Sequence, residues 1–286
     1  MALSRRPGPS TRTRVHEHVD GRVLQHEDRL ATEEPLEIRC SWPGRPAYRV
    51  AVTMRTPGHD FELAAGFLLA EGTVTGQGHL HTVAYCTDQD LLPEQEHNVV
   101  TVTLRSAPRS VPAERYAGLS AASSACGVCG TQSIDDVLGL ADVRPARETA
   151  PVVVPAGVLH ALPARLREAQ RVFATTGGLH AAGLFTADGE PLVVREDIGR
   201  HNAVDKVVGA RLLAGAPTGV PVLAVSGRIG FEIVQKAVAA GVGVLAAVGA
   251  PSSLAVDLAQ RAGLCTVGFL RPDRFVTYSA PERIGV

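Results

Sequence analysis

Val220-Pro221-Val222-Leu223-Ala224-Val225-Ser226-Gly227-Arg228-Ile229-Gly230-Phe231-Glu232 decides the fold. Val220 to Val225 is a continuous apolar run, the pattern of a strand buried on both faces. The run breaks at Ser226-Gly227, and a helix follows from Phe231 to Ala240. The alternation continues with a strand at Val242 to Val248, a helix at Ser252 to Ala262 and a strand at Cys265 to Leu270. Upstream, Asn202 to Leu213 reads as a helix with Ala203, Val204, Val207 and Val208 on one face. The stretch Gly177 to Phe185 leads into a strand whose expected partner is Pro191 to Arg195, across the turn Ala187-Asp188-Gly189. A further helix spans Val158 to Ala169 with Leu159, Leu162 and Leu166 inward. Helices alternating with buried strands specify an α/β layered domain with helices over the sheet faces. Gly241-Val242-Gly243-Val244-Leu245-Ala246 matches GxGxxA, but it lies where a helix ends and a strand begins. A dinucleotide fingerprint needs the opposite order, so these glycines read as a helix cap and close packing.

The first part of the chain reads differently. Val15 to Thr56 is strand-rich, with Tyr48, Val50, Val52 and Met54 alternating with Arg49, Ala51 and Thr53. After the turn Thr56-Pro57-Gly58, Asp60 is placed to cap a helix from Phe61 to Ala70 that closes at Gly72. Strands follow at Thr82 to Tyr85 and Asn98 to Leu104. The expected domains are a disordered basic tail (1–14), a small N-terminal β-rich α+β domain (15–117) and the α/β domain (118–286).

Composition narrows the function. The 286 residues suffice for one large domain or two smaller ones, and a 45% hydrophobic content supports real cores. A net charge of -1 offers no electrostatic case for nucleic acid or an anionic membrane as partner. No apolar run is long enough to span a bilayer, and no apolar segment follows Arg5-Arg6 to make an export signal. Scattered single cysteines without a leader point to the cytoplasm, where thiols stay reduced.

Two of the five cysteines form a motif, Cys126-Gly127-Val128-Cys129-Gly130, after the small polar run Ala121-Ala122-Ser123-Ser124-Ala125. Two thiols two residues apart among glycines read as accessible sulfur on a flexible arm. Thr131 and Ser133 are placed to cap a short helix whose dipole favours thiolate, while Asp135 and Asp136 oppose it. Half of a zinc site, a redox dithiol and a carrier of activated sulfur all fit the spacing. Structural zinc normally needs a second pair, which the sequence lacks. A zinc deaminase would show HxE ahead of PCxxC; here Ala181-Ala182 follows His180, and Ala125 precedes Cys126, which lies upstream of that histidine.

Three other stretches carry candidate chemistry. Arg228 sits where ligands bind in open α/β sheets, beside a helix N-terminus that suits phosphate. Arg195 to Lys206 packs polar groups between apolar elements, with Glu196–Arg200 and Asp205–His201 as expected pairs; it lines a site or forms a buried network. Phe269-Leu270-Arg271-Pro272-Asp273-Arg274 follows the last strand, where its arginines either clamp phosphate or form an exposed loop.

Met54 to Leu68, Cys126 to Gly130, Thr176 to Ala182, Arg195 to Lys206 and Ser226-Gly227-Arg228, in that order, resemble the formate dehydrogenase accessory sulfurtransferase family, FdhD. The resemblance implies a cytidine-deaminase-like layered α/β/α domain without deaminase chemistry, plus the smaller N-terminal domain. It implies a homodimer that accepts persulfide sulfur from a cysteine desulfurase on Cys126, with Cys129 assisting or relaying. The sulfur then passes to the molybdenum cofactor, bis-molybdopterin guanine dinucleotide, destined for formate dehydrogenase. The family's cofactor-binding stretch maps onto Phe269, Leu270, Arg271, Pro272, Asp273 and Arg274, and no permanently bound metal is implied. Arg228, Arg271 and Arg274 are the candidate cations for the cofactor's diphosphates. The competing readings are a zinc-dependent hydrolase of the deaminase fold and a non-catalytic nucleotide- or cofactor-binding scaffold.

Overall fold

Two ten-residue strands, β1 (Ser10–Val19) and β2 (Arg22–Ala31), open the chain as an antiparallel hairpin. They belong to a computed structural model that describes residues 7–87, 92, 96–108 and 152–285. Strand β1 begins inside the stretch expected to be a disordered tail, so residues 10–14 are ordered. The strand is held by its ten-residue register with β2, in which Thr11 and Thr13 alternate with Arg12 and Arg14. Arg14 lies opposite Glu27, whose carboxylate is 3.4 Å from Arg12.

The next four strands are β3 (Glu34–Trp42), β4 (Arg45–Arg55), β5 (Leu80–Tyr85) and β6 (Val99–Leu104). They form a sheet in the order β4-β3-β6-β5, with β3 and β6 parallel and the other pairs antiparallel. Helix α1 (Asp60–Ala70) packs on it. Asp60 does not cap this helix; His59 occupies the N-cap position with no side-chain cap bond. Asp60 is instead 1% exposed and accepts from Arg55 Nε at 3.2 Å, Arg55 Nη2 at 3.1 Å and Tyr85 Oη at 2.8 Å. Arg55 is fully buried, and an unpaired cation there costs more than an uncapped helix end.

The remainder is the α/β body: β7 (Val154–Pro155), α2 (Ala156–Ala169), α3 (Phe173–Thr176), β8 (His180–Phe185), β9 (Pro191–Asp197), α4 (Arg200–Leu213), β10 (Val222–Val225), α5 (Phe231–Ala240), β11 (Val244–Ala247), α6 (Ser253–Ala262), β12 (Cys265–Gly268), β13 (Val276–Ser279) and β14 (Ile284–Gly285). Six of these strands make one mixed sheet, β13-β12-β11-β10-β8-β9. Strands β10, β11 and β12 are parallel; β8, β9 and β13 run antiparallel to their neighbours. Strand β7 pairs with β14. Gly241 ends α5 in the left-handed conformation at φ 76, so it is the helix cap that its position between helix and strand predicts.

Side-chain alternation divides the sheet into two cores. Ala181, Phe185, Val222, Ala224, Val244, Ala246, Cys265 and Val267 face Leu159, Leu162 and Leu166 of α2. Ala182, Leu184, Leu223, Val225, Leu245 and Ala247 face the layer of α4, α5 and α6. This second core continues through α1 into Leu36, Ile38, Val100 and Val102 of the small sheet, which therefore shares one interior with the body. The joint is the crossing of α1 and α4. A Cβ on Gly66 would lie 1.9 Å from the Asp205 carbonyl oxygen, and one on Gly209 would lie 1.8 Å from that of Glu62. Only reciprocal glycines let these two backbones touch.

Candidate functional site at the carboxyl-end rim

The parallel strands β10, β11 and β12 end on one side of the sheet, and their loops are stitched together there. Gly249 N donates to Gly227 O at 3.0 Å, Phe269 N donates to Gly249 O at 3.1 Å, and Ile229 N donates to Ala250 O at 3.0 Å. The antiparallel β8 starts at the same rim: Ala181 N donates to Ser226 Oγ at 2.9 Å, and Ser226 N donates to Ala181 O at 3.0 Å. A side chain at Gly249 would strike Gly227 O at 2.7 Å and Arg228 Cα at 2.9 Å, so glycine is required for the loops to close ranks.

His180, Arg200 and Arg228 surround this junction. From the backbone of Gly227, a Cβ would meet His180 Nδ1 at 3.4 Å and Arg200 Cδ at 3.6 Å. Burial depresses the His180 pKa, and the nearby charges of Arg200, His201 and Arg228 lower it further against a raising contribution from Asp197. Arg200 Nε is buried and has no hydrogen-bond partner among the described residues.

The Arg195–Lys206 run is mostly a buried network that fixes this rim. Its expected pairs are corrected. Glu196 does not meet Arg200; it accepts the Val172 and Phe173 backbone N–H groups at 2.9 and 2.7 Å. Asp205 does not meet His201; it takes Lys236 Nζ at 2.8 and 2.9 Å, while His201 Nε2 lies 2.9 Å from Glu232 Oε2. Helical spacing within α4 allows the intrahelical pairs, but α5 brings closer partners from across the layer. Burial opposes charge on Lys236, yet Asp205 with Glu71 and Glu232 outweighs it and pushes the ammonium pKa up. Arg195 forks onto Glu62 of α1 at 2.6 and 2.8 Å. Burial would raise the Glu62 pKa, but Arg195 and His59 overcome it and hold the carboxyl at about 2.

Of the mapped C-terminal stretch, Phe269 is 39% exposed at φ 51, its side chain standing at the rim. Leu270 is buried in the outer core, so it presents only backbone. Arg271 Nη1 donates to the carbonyls of Val248 and Leu270 at 2.9 and 2.8 Å, and Arg271 N donates to Arg274 O at 2.8 Å. Pro272, Asp273 and Arg274 are exposed. Cys126 and Cys129, with the expected caps Thr131 and Ser133, lie outside the described residues. The chain leaves the described part after Pro108, beyond β6, and re-enters it at Val152, before β7. Cys40 and Cys265 are buried, and burial pushes both thiols up to about 11. Among the described residues, no three His, Cys, Asp or Glu side chains are grouped to hold a metal ion. No helix there is long and apolar enough to cross a membrane. The partners missed from sequence are Glu62, Lys236 and Glu232; only their place as polar residues in the largely apolar helices α1 and α5 hints at them.

Helices on both faces and stitched loops at one edge make this an α/β protein of the kind that binds ligands outside its strand ends. Comparison with known proteins narrows that outline. Residues 31–285 match the model of the FdhD/NarQ family, and the chain belongs to that family. It is 49% identical over 273 residues to the sulfur carrier protein FdhD of Streptomyces coelicolor, covering 93% of each chain. It is 47% identical to the namesake from Mycolicibacterium paratuberculosis, covering 96% of this chain and 99% of that one. It is 48% identical to that of Mycobacterium tuberculosis, covering 97% and 99%. A crystal structure of a candidate formate dehydrogenase accessory protein from Desulfotalea psychrophila shares the fold, with a TM-score of 0.73 at 23% identity over 96% of this chain and 99% of that one.

Proposed function

We propose that this chain is a sulfur carrier serving formate dehydrogenase. The observation that carries the reading is its near-full-length match, at 47–49% identity, to relatives named sulfur carrier protein FdhD. Cys126 thiolate attacks the outer sulfur of a cysteine desulfurase persulfide; the donor S–S bond breaks, the donor leaves as thiolate, and Cys126 holds the new persulfide. The terminal sulfur then passes to the molybdenum of bis-molybdopterin guanine dinucleotide, the substrate, with Cys129 assisting. The Cys129 thiolate attacks Cys126 Sγ, the persulfide S–S bond breaks, the outer sulfur leaves at the sulfide level, and the Cys126–Cys129 disulfide that forms supplies the two electrons. The cofactor lies against the rim, where Phe269 to Arg274 and Arg228 contact it, and transfer precedes insertion into the client enzyme. The working form is a cytoplasmic homodimer. The strand order of the body, with its antiparallel hairpin beside three parallel strands and helices on both faces, supports kinship with deaminases. Burial argues against Cys40 and Cys265 as carriers, because both are held protonated and away from solvent. Cys86 is half-buried beside Arg39, and the choice of Cys126 over it rests on the paired-thiol motif.

The test is intact-mass spectrometry after incubation with a cysteine desulfurase and cysteine. The chain gains one sulfur atom per protomer, and Cys126→Ala gains none while keeping its fold. No gain in the unaltered chain refutes the carrier reading and leaves a cofactor-binding scaffold. A full gain in Cys126→Ala moves the carrier to another thiol.

A further inference from the structure

Two arginines at the rim have no carboxylate partner among the described residues. Arg228 is exposed on the loop after β10, and Arg200 opens α4 with its Nε buried and unbonded. Elsewhere in the body the inward cations are matched: Arg195 with Glu62, Lys206 with Asp197 at 2.7 Å, Lys236 with Asp205. Glu232, the nearest acidic side chain on α5, is engaged by His201. Asp197 is engaged by Lys206, Asn202 and the backbone of Thr56 and Gly199. Asp197 is thus fully committed, while Glu232 keeps one buried oxygen, Oε1, without a hydrogen-bond partner and makes no ion pair with either arginine among the described residues. Between the arginines lies bare backbone, Gly227, with the His180 ring against it. Uncompensated like charges held together by a fold are a standing electrostatic cost, and an anion relieves it.

We infer that Arg200 and Arg228, with His180 beside them and Gly227 as the floor, form a subsite for a diphosphate. Two guanidiniums match the two negative charges of a diphosphate ester, and Gly227 lets phosphate oxygens approach the main chain where a side chain would block them. Helix α5 begins three residues after Arg228, at Phe231, and adds its dipole to the same loop. This inference deepens the sulfur-carrier reading by naming the residues that grip the cofactor's diphosphate, and it rests on that reading for the identity of the ligand. The same chemistry would take a free inorganic diphosphate.

Calorimetric titration of the full chain with inorganic pyrophosphate, with orthophosphate as the weaker control, tests the subsite. Arg228→Gln, an exposed position, is expected to weaken pyrophosphate binding by about tenfold or more, and Arg200→Gln by a similar factor. The imidazole of His180, followed by NMR, is expected to titrate at higher pH once pyrophosphate is bound, because the dianion offsets Arg200, Arg228 and His201 while Asp197 stays in place. That shift disappears in the Arg200→Gln/Arg228→Gln variant, which a merely structural role for either arginine would not produce. Binding of a nucleoside diphosphate more tightly than pyrophosphate assigns the site to a nucleotide-bearing ligand; equal binding assigns it to free diphosphate, and both keep the subsite. Undiminished pyrophosphate affinity in Arg228→Gln, or no binding by the unaltered chain, overturns it. A chain that takes up sulfur yet ignores pyrophosphate loses the subsite alone. One that binds pyrophosphate yet never takes up sulfur loses the carrier reading alone.

Discussion

Gly209→Ala should cost the protein its joint. The added Cβ would sit 1.8 Å from the Glu62 carbonyl oxygen and 2.8 Å from Gly66 N, both main-chain atoms of α1. Real Cβ contacts essentially never fall below 3.0 Å, so the helices must part locally by about 1.2 Å or more. No rotamer change absorbs that, because the obstruction is backbone. Parting also loosens Leu63, Ala64 and Leu68 of α1 from Ala203, Val204, Val207 and Val208 of α4, which share one core. Overpacking against movable side chains costs about 1–3 kcal/mol; against backbone, about 3 kcal/mol is the sensible floor. Alanine's better helix propensity returns about 1 kcal/mol. The net loss is then about 2 kcal/mol, or a fall in urea midpoint of roughly 0.7 M for an m-value near 3 kcal/mol per M. Gly157→Ala in α2 is the matched control, since nothing lies within 4 Å of its Cβ; it should be neutral or stabilising by up to about 1 kcal/mol. Equal midpoints for Gly209→Ala and the unaltered protein would show that the two helices do not touch as described.

Three more expectations follow from the buried charges and thiols. The folded-state pKa of Glu62, about 2 against an ordinary 4.5, means its pairing stabilises the protein above pH 4.5 and loses that effect as pH falls toward 2. Full strength is at most about 3 kcal/mol, so the stability gap between the unaltered protein and Glu62→Gln should be flat above pH ~5 and close toward pH ~2; a gap independent of pH would reject the ion pair. Asp205→Ala leaves the Lys236 ammonium buried without its carboxylate and should cost about 3–5 kcal/mol, with Asp205→Leu/Lys236→Met recovering much of it in denaturation curves; no recovery would mean that the loss is packing alone. Brief iodoacetamide treatment of the native protein at about pH 8 should spare Cys40 and Cys265, whose thiols titrate near 11, while unfolding exposes both; peptide mapping that finds Cys265 modified in the native state would contradict its burial.

The parts of this fold legible in sequence are those that burial writes as periodicity. Helix α5 occupies Phe231–Ala240 as its pattern predicts, and Ser252 caps α6 through the Ala255 N–H. Continuous apolar runs mark β10, β11 and β12 because helices cover both sheet faces. The polar pairings were not legible. Spacing along α4 favours His201 with Asp205, yet Glu232 and Lys236 on α5 take them. Asp60 carries every local mark of a helix cap and serves Arg55 instead. In each case a partner distant in sequence wins, because burying an ion without its counter-ion costs more than leaving a local preference unmet. The glycines of the α1–α4 crossing were equally silent: a glycine in a helix shows that something approaches, never what.

The Met54–Leu68 stretch is one of those that carry the family resemblance, and its geometry assigns it a supporting task. Thr56 spends all three of its hydrogen-bonding groups on the body. Its N–H donates to Asp197 Oδ2 at 3.1 Å, its hydroxyl accepts the Ile198 N–H at 3.2 Å, and its carbonyl accepts Lys206 Nζ at 2.9 Å. Asn202 reaches back to the Met54 carbonyl at 2.8 Å and to Asp197 at 3.0 Å. These bonds converge on the turn from β9 into α4, the turn that delivers Arg200 and His201 to the rim. The small sheet therefore acts on the rim from behind: it holds the backbone that aims Arg200, while the ligand-facing groups come from the body itself. A change at Thr56 or Asn202 should accordingly alter ligand grip through the orientation of Arg200, without either residue touching the ligand.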